Sequence, residues 1–252
     1  MAEALLSATG LTRYFGGLAA VNNVSIELRR GELHAVLGPN GAGKSTLINL
    51  LSGDQPASAG TIQFKGGDIS GLSMDRRARL GIGRSYQKTN IFPGFTVYEN
   101  CRLAAQSREP RPFRIFSDAA RQASACAAAE HALALTGLAA RADVLAGALS
   151  HGEQRQLEIG MVLATEPEAL LLDEPLAGMG TEESARMVEL LRRLAANHAV
   201  LLVEHDMDAV FAVAARVTVM ANGQVLESGR PETIRRSHAV RQVYLGEESA
   251  EY

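Results

Sequence analysis

The sequence predicts an α/β fold in which a parallel-sheet core carries an antiparallel β layer and is interrupted by a helical subdomain. Residues 33–51 read as apolar strand, glycine-rich loop and apolar helix. From 169 to 215, β-rich runs alternate with helical ones, which within one sheet means parallel strands joined by right-handed crossovers. From 96 to about 161 the periodicity is helical throughout. At 252 residues, 46% of them hydrophobic, the chain can bury a sizeable core as one large domain or two closely joined ones.

Short β-like runs at 5–9, 24–28 and 61–65 surround the first strand–loop–helix unit. The alternation of Val24, Ile26 and Leu28 suits a half-exposed antiparallel layer. In the middle block, one helix carries Val97, Leu103 and Ala104, and an Ala-rich helix spans 119–140 with Gly137 as its C-cap. A third opens at Ser150, whose spacing to Glu153 is that of a capping box. Next come a strand at 169–173, a helix through Met187, Leu190, Leu191 and Leu194, a strand at 199–203 and a helix from Asp206 to Ala215. Asn222-Gly223 marks a hairpin between β runs at 217–220 and 225–227, and Pro231 opens a final helix ending near Leu245. No internal repeat or long linker divides the chain.

Composition narrows the function classes. A formal charge of −3 and a pI near 6.1 provide no basic footprint for nucleic acid, and the arginine pairs Arg29/Arg30, Arg76/Arg77 and Arg192/Arg193 are expected on solvated faces. Cys101 and Cys126 form no CxxC, and no histidines stand at metal spacing, so neither a disulfide framework nor a zinc site is expected and a reducing cytoplasm fits. No run approaches the roughly 18 apolar residues needed to cross a bilayer, and the N-terminus lacks a basic region followed by an apolar core. The chain is therefore expected to be neither secreted nor membrane-spanning by itself.

The chemistry concentrates in GPNGAGKST, residues 38–46, which fits GxxxxGK[ST] between a strand and a helix. Glycines let successive N–H groups converge on an anion, the following helix turns its positive end the same way, and Lys44 reaches the β/γ oxygens of a triphosphate. Ser45 is then placed to ligate Mg²⁺. A mere surface turn has no need to end in Gly-Lys-Ser between two apolar runs. Downstream, Leu170-Leu171-Leu172 leads into Asp173 and Glu174, at the strand end where open α/β sheets bind ligands. Side chains alternate along a strand, so Asp173 can hold the metal while Glu174 polarises the attacking water. His205, just past another strand end, can reach the γ-phosphate, and Asp206 can cap the next helix. Gln87, after a further short β-like run, can reach metal or water through its amide.

With these pieces in this order the chain resembles the ATP-binding cassette (ABC) family of ATPases along essentially its whole length. The resemblance implies a P-loop NTPase (RecA-like) core at about 1–90 and 162–230, a helical subdomain at about 91–161 and a C-terminal helical tail at about 231–252, all one nucleotide-binding domain. It makes Gly38, Pro39, Asn40, Gly41, Ala42, Gly43, Lys44, Ser45 and Thr46 the Walker A motif and LLLDE the Walker B motif. Gln87 becomes the Q-loop residue, His205 the switch histidine, and LSHGE, 149–153, the signature. ATP and Mg²⁺ are the implied cofactors, with Ser45, Gln87 and Asp173 on the metal and Glu174, His205 and Gln87 in catalysis. Phe15, with Tyr14 beside it, matches the position that stacks on adenine.

Ser150, Gly152 and Glu153 are implied to face ATP held by a second cassette, identical or different, so that two cassettes sandwich two nucleotides. His151, Glu153 and Gly180 depart from the family's pattern. An added carboxylate repels a triphosphate unless it is hydrogen-bonded or turned away, so hydrolysis in the pair is expected to be asymmetric.

GIGRSYQKTNIFPGFTVYENCRLAAQ, LSHGEQRQLEIG, LDEPLAGMG, LLVEHDM and VYLGE are similar to the ATP-binding subunits of branched-chain amino acid importers. That likeness implies transmembrane permease subunits as partners, a solute-binding protein acting indirectly, a place on the cytoplasmic face of the inner membrane, and no nucleic acid. The segment from Gln87 through Phe92 and Phe95 is expected to line a groove for a permease helix. The alternatives are a soluble ABC-type ATPase acting on nucleic acid or ribosomes, and a regulatory nucleotide-binding module with low turnover.

Overall fold

The structure, a computed structural model, describes residues 3–108 and 123–248, the side chains of 244–248 excepted. Its architecture follows from strands that feed two cores at once. In β3 (Glu32–Leu37), Leu33, Ala35 and Leu37 face the helical side while Val36 faces the β layer. Val200 and Leu202 of β8 (Ala199–Val203), and Leu170 and Leu172 of β7 (Ala169–Asp173), likewise face the helices, and the residues between them face the β layer. All five residues of β7 and of β8 are buried, as continuous apolar runs in a two-faced sheet require.

These strands belong to a six-stranded sheet of order β10-β9-β3-β8-β7-β6, with β6 at Ile82–Arg84, β9 at Arg216–Ala221 and β10 at Gln224–Gly229. Its pairings are parallel except β9 with β10, whose turn puts Asn222 and Gly223 at φ 50° and 76° as the Asn-Gly signal demands. The second sheet, β2-β1-β4-β5, joins β1 (Leu6–Phe15), β2 (Leu18–Leu28), β4 (Ala59–Phe64) and β5 (Gly67–Asp68) in antiparallel order. The first two strands extend well beyond the runs predicted at 5–9 and 24–28. Register shifts between Ala8 and Tyr14 break the two-residue alternation, so the remainder of the hairpin has no legible period.

Helix α1 (Lys44–Ser52) follows the glycine loop. Helix α2 (Met74–Leu80) is not anticipated by periodicity, because its buried anchor is charged: Arg77 donates to the carbonyls of Leu50 (2.7 Å), Leu51 (2.9 Å), Ser70 and Leu72 (both 3.0 Å). The expectation that Arg77 lies on a solvated face is thereby corrected. Helices α3 (Val97–Gln106), α4 (Ala123–Thr136) and α5 (His151–Ala164) pack on one another as the helical block. Gly137 ends α4 at φ 79°; residues 119–122 of the expected helix lie outside the described part of the chain. Helices α6 (Thr181–Asn197) and α7 (Met207–Val213) cover the sheet's other connections, and Asp206 caps α7 as expected, accepting from the Ala209 N–H at 3.0 Å.

The single final helix is in fact two, α8 (Pro231–Arg236) and α9 (His238–Glu248). Ser237 breaks them with an extended ψ of 127°, and its hydroxyl accepts from the Val240 N–H at 3.3 Å, starting the next helix. Among the described residues no helix is long and apolar enough to cross a membrane.

Candidate functional site

Strands β3 and β7 flank β8 and run parallel to it, so their C-terminal ends open on the same sheet edge. The glycine loop leaves one and the acid pair the other. Their charges meet: Lys44 is among the cations acting on Asp173.

The loop is tightly walled. A Cβ on Gly38 would stand 2.2 Å from the Met220 carbonyl oxygen, and one on Gly43 2.3 Å from that of Ala20, at φ values of 153° and 99°. Only glycine fits both backbone and space there. The Gly223 N–H donates to the Ala42 carbonyl (3.1 Å) while the Gly223 carbonyl accepts from the Asn22 N–H (2.8 Å), so the β9–β10 turn and the β1–β2 hairpin brace the loop together. Lys44, buried at the start of α1 with Ser45 and Thr46 beside it, donates to the carbonyls of Gly38 and Pro39 (2.9 Å). Phe15 and Tyr14 end β1 about half exposed, on the hairpin whose Ala20 touches Gly43, with the Arg13 guanidinium 4.9 Å from the Phe15 ring centroid.

Asp173 is buried at the end of β7, and its Oδ1 has no hydrogen-bond partner. Burial raises its pKa above the ordinary carboxylate range, Arg84 opposes this, and neighbouring Glu174 adds to the rise. An orphaned buried carboxylate oxygen is what a cation site provides before its ion binds. Glu174 follows at φ 49°, a left-handed conformation costly for a side chain of this kind, and is held there by its N–H on the Val203 carbonyl at 2.9 Å. Gln87 Nε2 donates to Glu174 Oε2 at 3.1 Å, bringing two of the sequence-predicted residues into contact. His205 lies beyond β8 with its side chain 61% exposed and Nδ1 3.8 Å from Glu204.

Ser150, Gly152 and Glu153 open α5 beside the loop that follows β7, where a Cβ on Gly178 would lie 3.4 Å from the His151 ring. The capping box is present in both directions: the Glu153 N–H donates to Ser150 Oγ (3.2 Å) and the Ser150 N–H donates to Glu153 Oε2 (2.9 Å). Arg141 lies 3.3 Å from the other oxygen of Glu153, so this departure from the family's pattern is turned away and neutralised.

Sequence reasoning missed three supports of the site. Arg155 and Glu158, paired at 3.1 Å and each 6% exposed, grip the Q-loop backbone. The Glu158 carboxylate accepts from the Tyr86 N–H (3.0 Å), while Arg155 donates to the carbonyls of Tyr86 (2.8 Å) and Gln87. Burial raises the Glu158 pKa, and the Tyr86 bond and Arg155 oppose it. Glu204, fully buried, accepts from the N–H groups of Leu176 (2.8 Å) and His205 (3.2 Å), clasping the loops after β7 and β8. Gly223 is the third. The available signal was charge among apolar residues, Glu158 between Leu157 and Ile159 and Glu204 after a five-residue apolar strand; Arg155, between Gln154 and Gln156, carried none.

The groove between core and helical block encloses about 270 Å³ lined by Arg84, Tyr86, Asn90, Glu158 and Met161 among others. Phe92 and Phe95, on the segment expected to line a groove for a permease helix, stack on each other at 5.5 Å and remain exposed rather than joining the core.

Comparison with known proteins agrees with this geometry. The ABC transporter family profile matches residues 21–177. The high-affinity branched-chain amino acid transport ATP-binding protein LivG of Salmonella typhimurium is 40% identical over 98% of this chain and 100% of its own. The corresponding protein BraF of Pseudomonas aeruginosa is 36% identical over 98% of this chain and 100% of its own. Among solved structures, the ADP conformation of MJ1267, an ATP-binding cassette of an ABC transporter, superposes with a TM-score of 0.87 at 28% identity, covering 97% of this chain and 99% of that one.

Proposed function

Since the chain belongs to the ABC transporter family and is an ATPase of it, we propose that it is the ATP-hydrolysing subunit of a membrane importer for branched-chain amino acids or a related amino acid or amide. The observation that carries the chemistry is the shared sheet edge, where the phosphate loop and the acid pair leave parallel strands, the Lys44 charge acts on Asp173 and Gln87 touches Glu174.

In this reading the amides of the 38–46 loop and Lys44 hold the phosphates of ATP, with Phe15 or Tyr14 against adenine. Ser45, Gln87 and Asp173 hold Mg²⁺, for which the unpartnered Asp173 Oδ1 is suited. When bound, the ion neutralises charge on the β/γ oxygens. Glu174 polarises the attacking water, its carboxylate oriented by the Gln87 amide, and His205 contacts the γ-phosphate from its exposed position. Ser150 and Gly152 at the α5 N-terminus meet the γ-phosphate of ATP on a second cassette, with Glu153 stiffening the cap. ATP favours the closed pair, hydrolysis removes those contacts, and the difference in affinity for ATP over ADP supplies the bias that moves the permease. The groove at Tyr86 and Met161 receives a permease helix, so that this subunit sits on the cytoplasmic face of the inner membrane and a solute-binding protein acts on it only indirectly.

Glu174→Gln is expected to retain ATP binding while phosphate release falls roughly 10²- to 10⁴-fold and an ATP-bound pair accumulates. Lys44→Ala is expected to lose ATP affinity itself. Release of phosphate by Glu174→Gln at the unmodified rate would remove Glu174 from the role assigned to it, and uptake of labelled leucine unaffected by deletion of this chain would refute the branched-chain amino acid assignment.

A further inference from the structure

At the signature, a carboxylate other than Glu153 stands against the groups that the proposed function reserves for a phosphate. Ser150 Oγ already accepts from the Glu153 N–H, and it donates its one proton to Glu183 Oε1 at 3.0 Å. Glu183 lies in the first turn of α6, which follows the loop after Glu174. Gly152 has no side chain, and the room this leaves is filled by the same group: a Cβ there would lie 2.5 Å from the Glu183 carboxyl carbon and 2.6 Å from Oε1. The carboxylate thus rests on both Ser150 and Gly152, taking the hydroxyl proton and the approach to the helix backbone together. Arg186, three residues along α6, lines the same hollow and gives Glu183 a second possible partner on its own helix.

We propose that Glu183 is a positioning residue for the contact between cassettes, holding the Ser150 hydroxyl and occupying the γ-phosphate seat until ATP on the partner cassette displaces it toward Arg186. This rests on the paired-cassette reading above. Two anions do not share one seat, so the triphosphate has to outcompete the carboxylate, and ADP, lacking the γ-phosphate, leaves Glu183 in place. The contact raises the ATP level at which the pair closes without altering how one cassette binds nucleotide.

The experiment uses the full chain carrying Glu174→Gln, isolated with its cassette partner, whether a second copy or a different subunit. Light scattering reads the Mg·ATP concentration for half-maximal closure of the pair. Glu183→Gln keeps the shape and an acceptor for Ser150 but removes the charge. It is expected to lower that concentration roughly tenfold at low salt, with the gain shrinking at about 0.5 M salt. Glu183→Ala should move it in the same direction, and nucleotide affinity of the separated cassette should stay constant. A purely structural contact predicts weaker closure in both variants and no salt dependence. Unchanged or weaker closure overturns the proposal alone, whereas failure of the Glu174→Gln parent to close at saturating Mg·ATP overturns the paired-cassette reading beneath it.

Discussion

Acid should weaken this fold through one histidine. His34 is buried in β3, with Nδ1 2.9 Å from the Glu27 carbonyl and Nε2 2.8 Å from Thr218 Oγ1, itself 2.8 Å from Ser228 Oγ. A carbonyl only accepts, so Nδ1 carries the proton, Nε2 accepts from Thr218 and the Ser228 hydroxyl completes the chain. Burial lowers the His34 pKa from 6.5 to about 4, the Glu27 bond opposes this, and the charge of Arg216 adds to the lowering. Between those two values the unfolded chain binds a proton that the folded chain refuses. Stability is therefore full above pH 6.5, falls as the pH drops, and levels off below about 4. The whole gap is worth about 3 kcal/mol at ~1.4 kcal/mol per pH unit, and about 2 kcal/mol of it is gone by about pH 5.

Asp173, Glu158 and Glu204 act in the opposite sense, because their raised pKa values mean that the folded state takes up protons first as the pH falls. The total pH dependence of the protein is thus a poor test, and the difference between two proteins is a good one. Urea unfolding at pH 7.5 and pH 5 of the unmodified chain and of His34→Gln should show the variant losing about 2 kcal/mol less. A double difference within about 0.5 kcal/mol of zero, or an imidazole that titrates near 6.5 in the folded protein by NMR, would refute the reasoning.

Two further outcomes follow from the same geometry. Gly43→Ala forces a Cβ to 2.3 Å from the Ala20 oxygen at φ 99°, so it should destabilise the chain by more than about 2 kcal/mol and abolish nucleotide binding, measured by thermal unfolding with and without Mg·ATP. Arg155→Leu leaves Glu158 buried without its cation and should cost about 3–5 kcal/mol in urea unfolding, much of it recovered by adding Glu158→Leu. A single-variant cost below about 1 kcal/mol would count against a buried pair.

Most of the site was legible because its chemistry is local in sequence. The phosphate loop, the Asp173–Glu174 step and the Ser150 capping box each place their parts within a few residues, and the structure puts them at the element ends where that spacing points. What escaped depends on distant partners. Gly223 reads as a hairpin residue and nothing more until the fold sets its N–H on Ala42, and Arg77 reads as surface charge until four carbonyls converge on it. The Ser237 break was legible in principle, both as a cap residue and as a lapse in apolar spacing, since Ser237 and His238 stand where a helix continuing from Ile234 would place its next apolar residues.

Helix α5 has its first turn at Ser150 and, five residues on, the arginine that grips the backbone of Gln87. At 1.5 Å per residue those two points are only about 7 Å apart on one stiff rod, so a tilt of about 10° pivoting at Arg155 swings the serine end by roughly 1 Å. A crank this short has little slack: a change in how Gln87 is gripped is delivered, almost undiminished, to the serine tip of the helix.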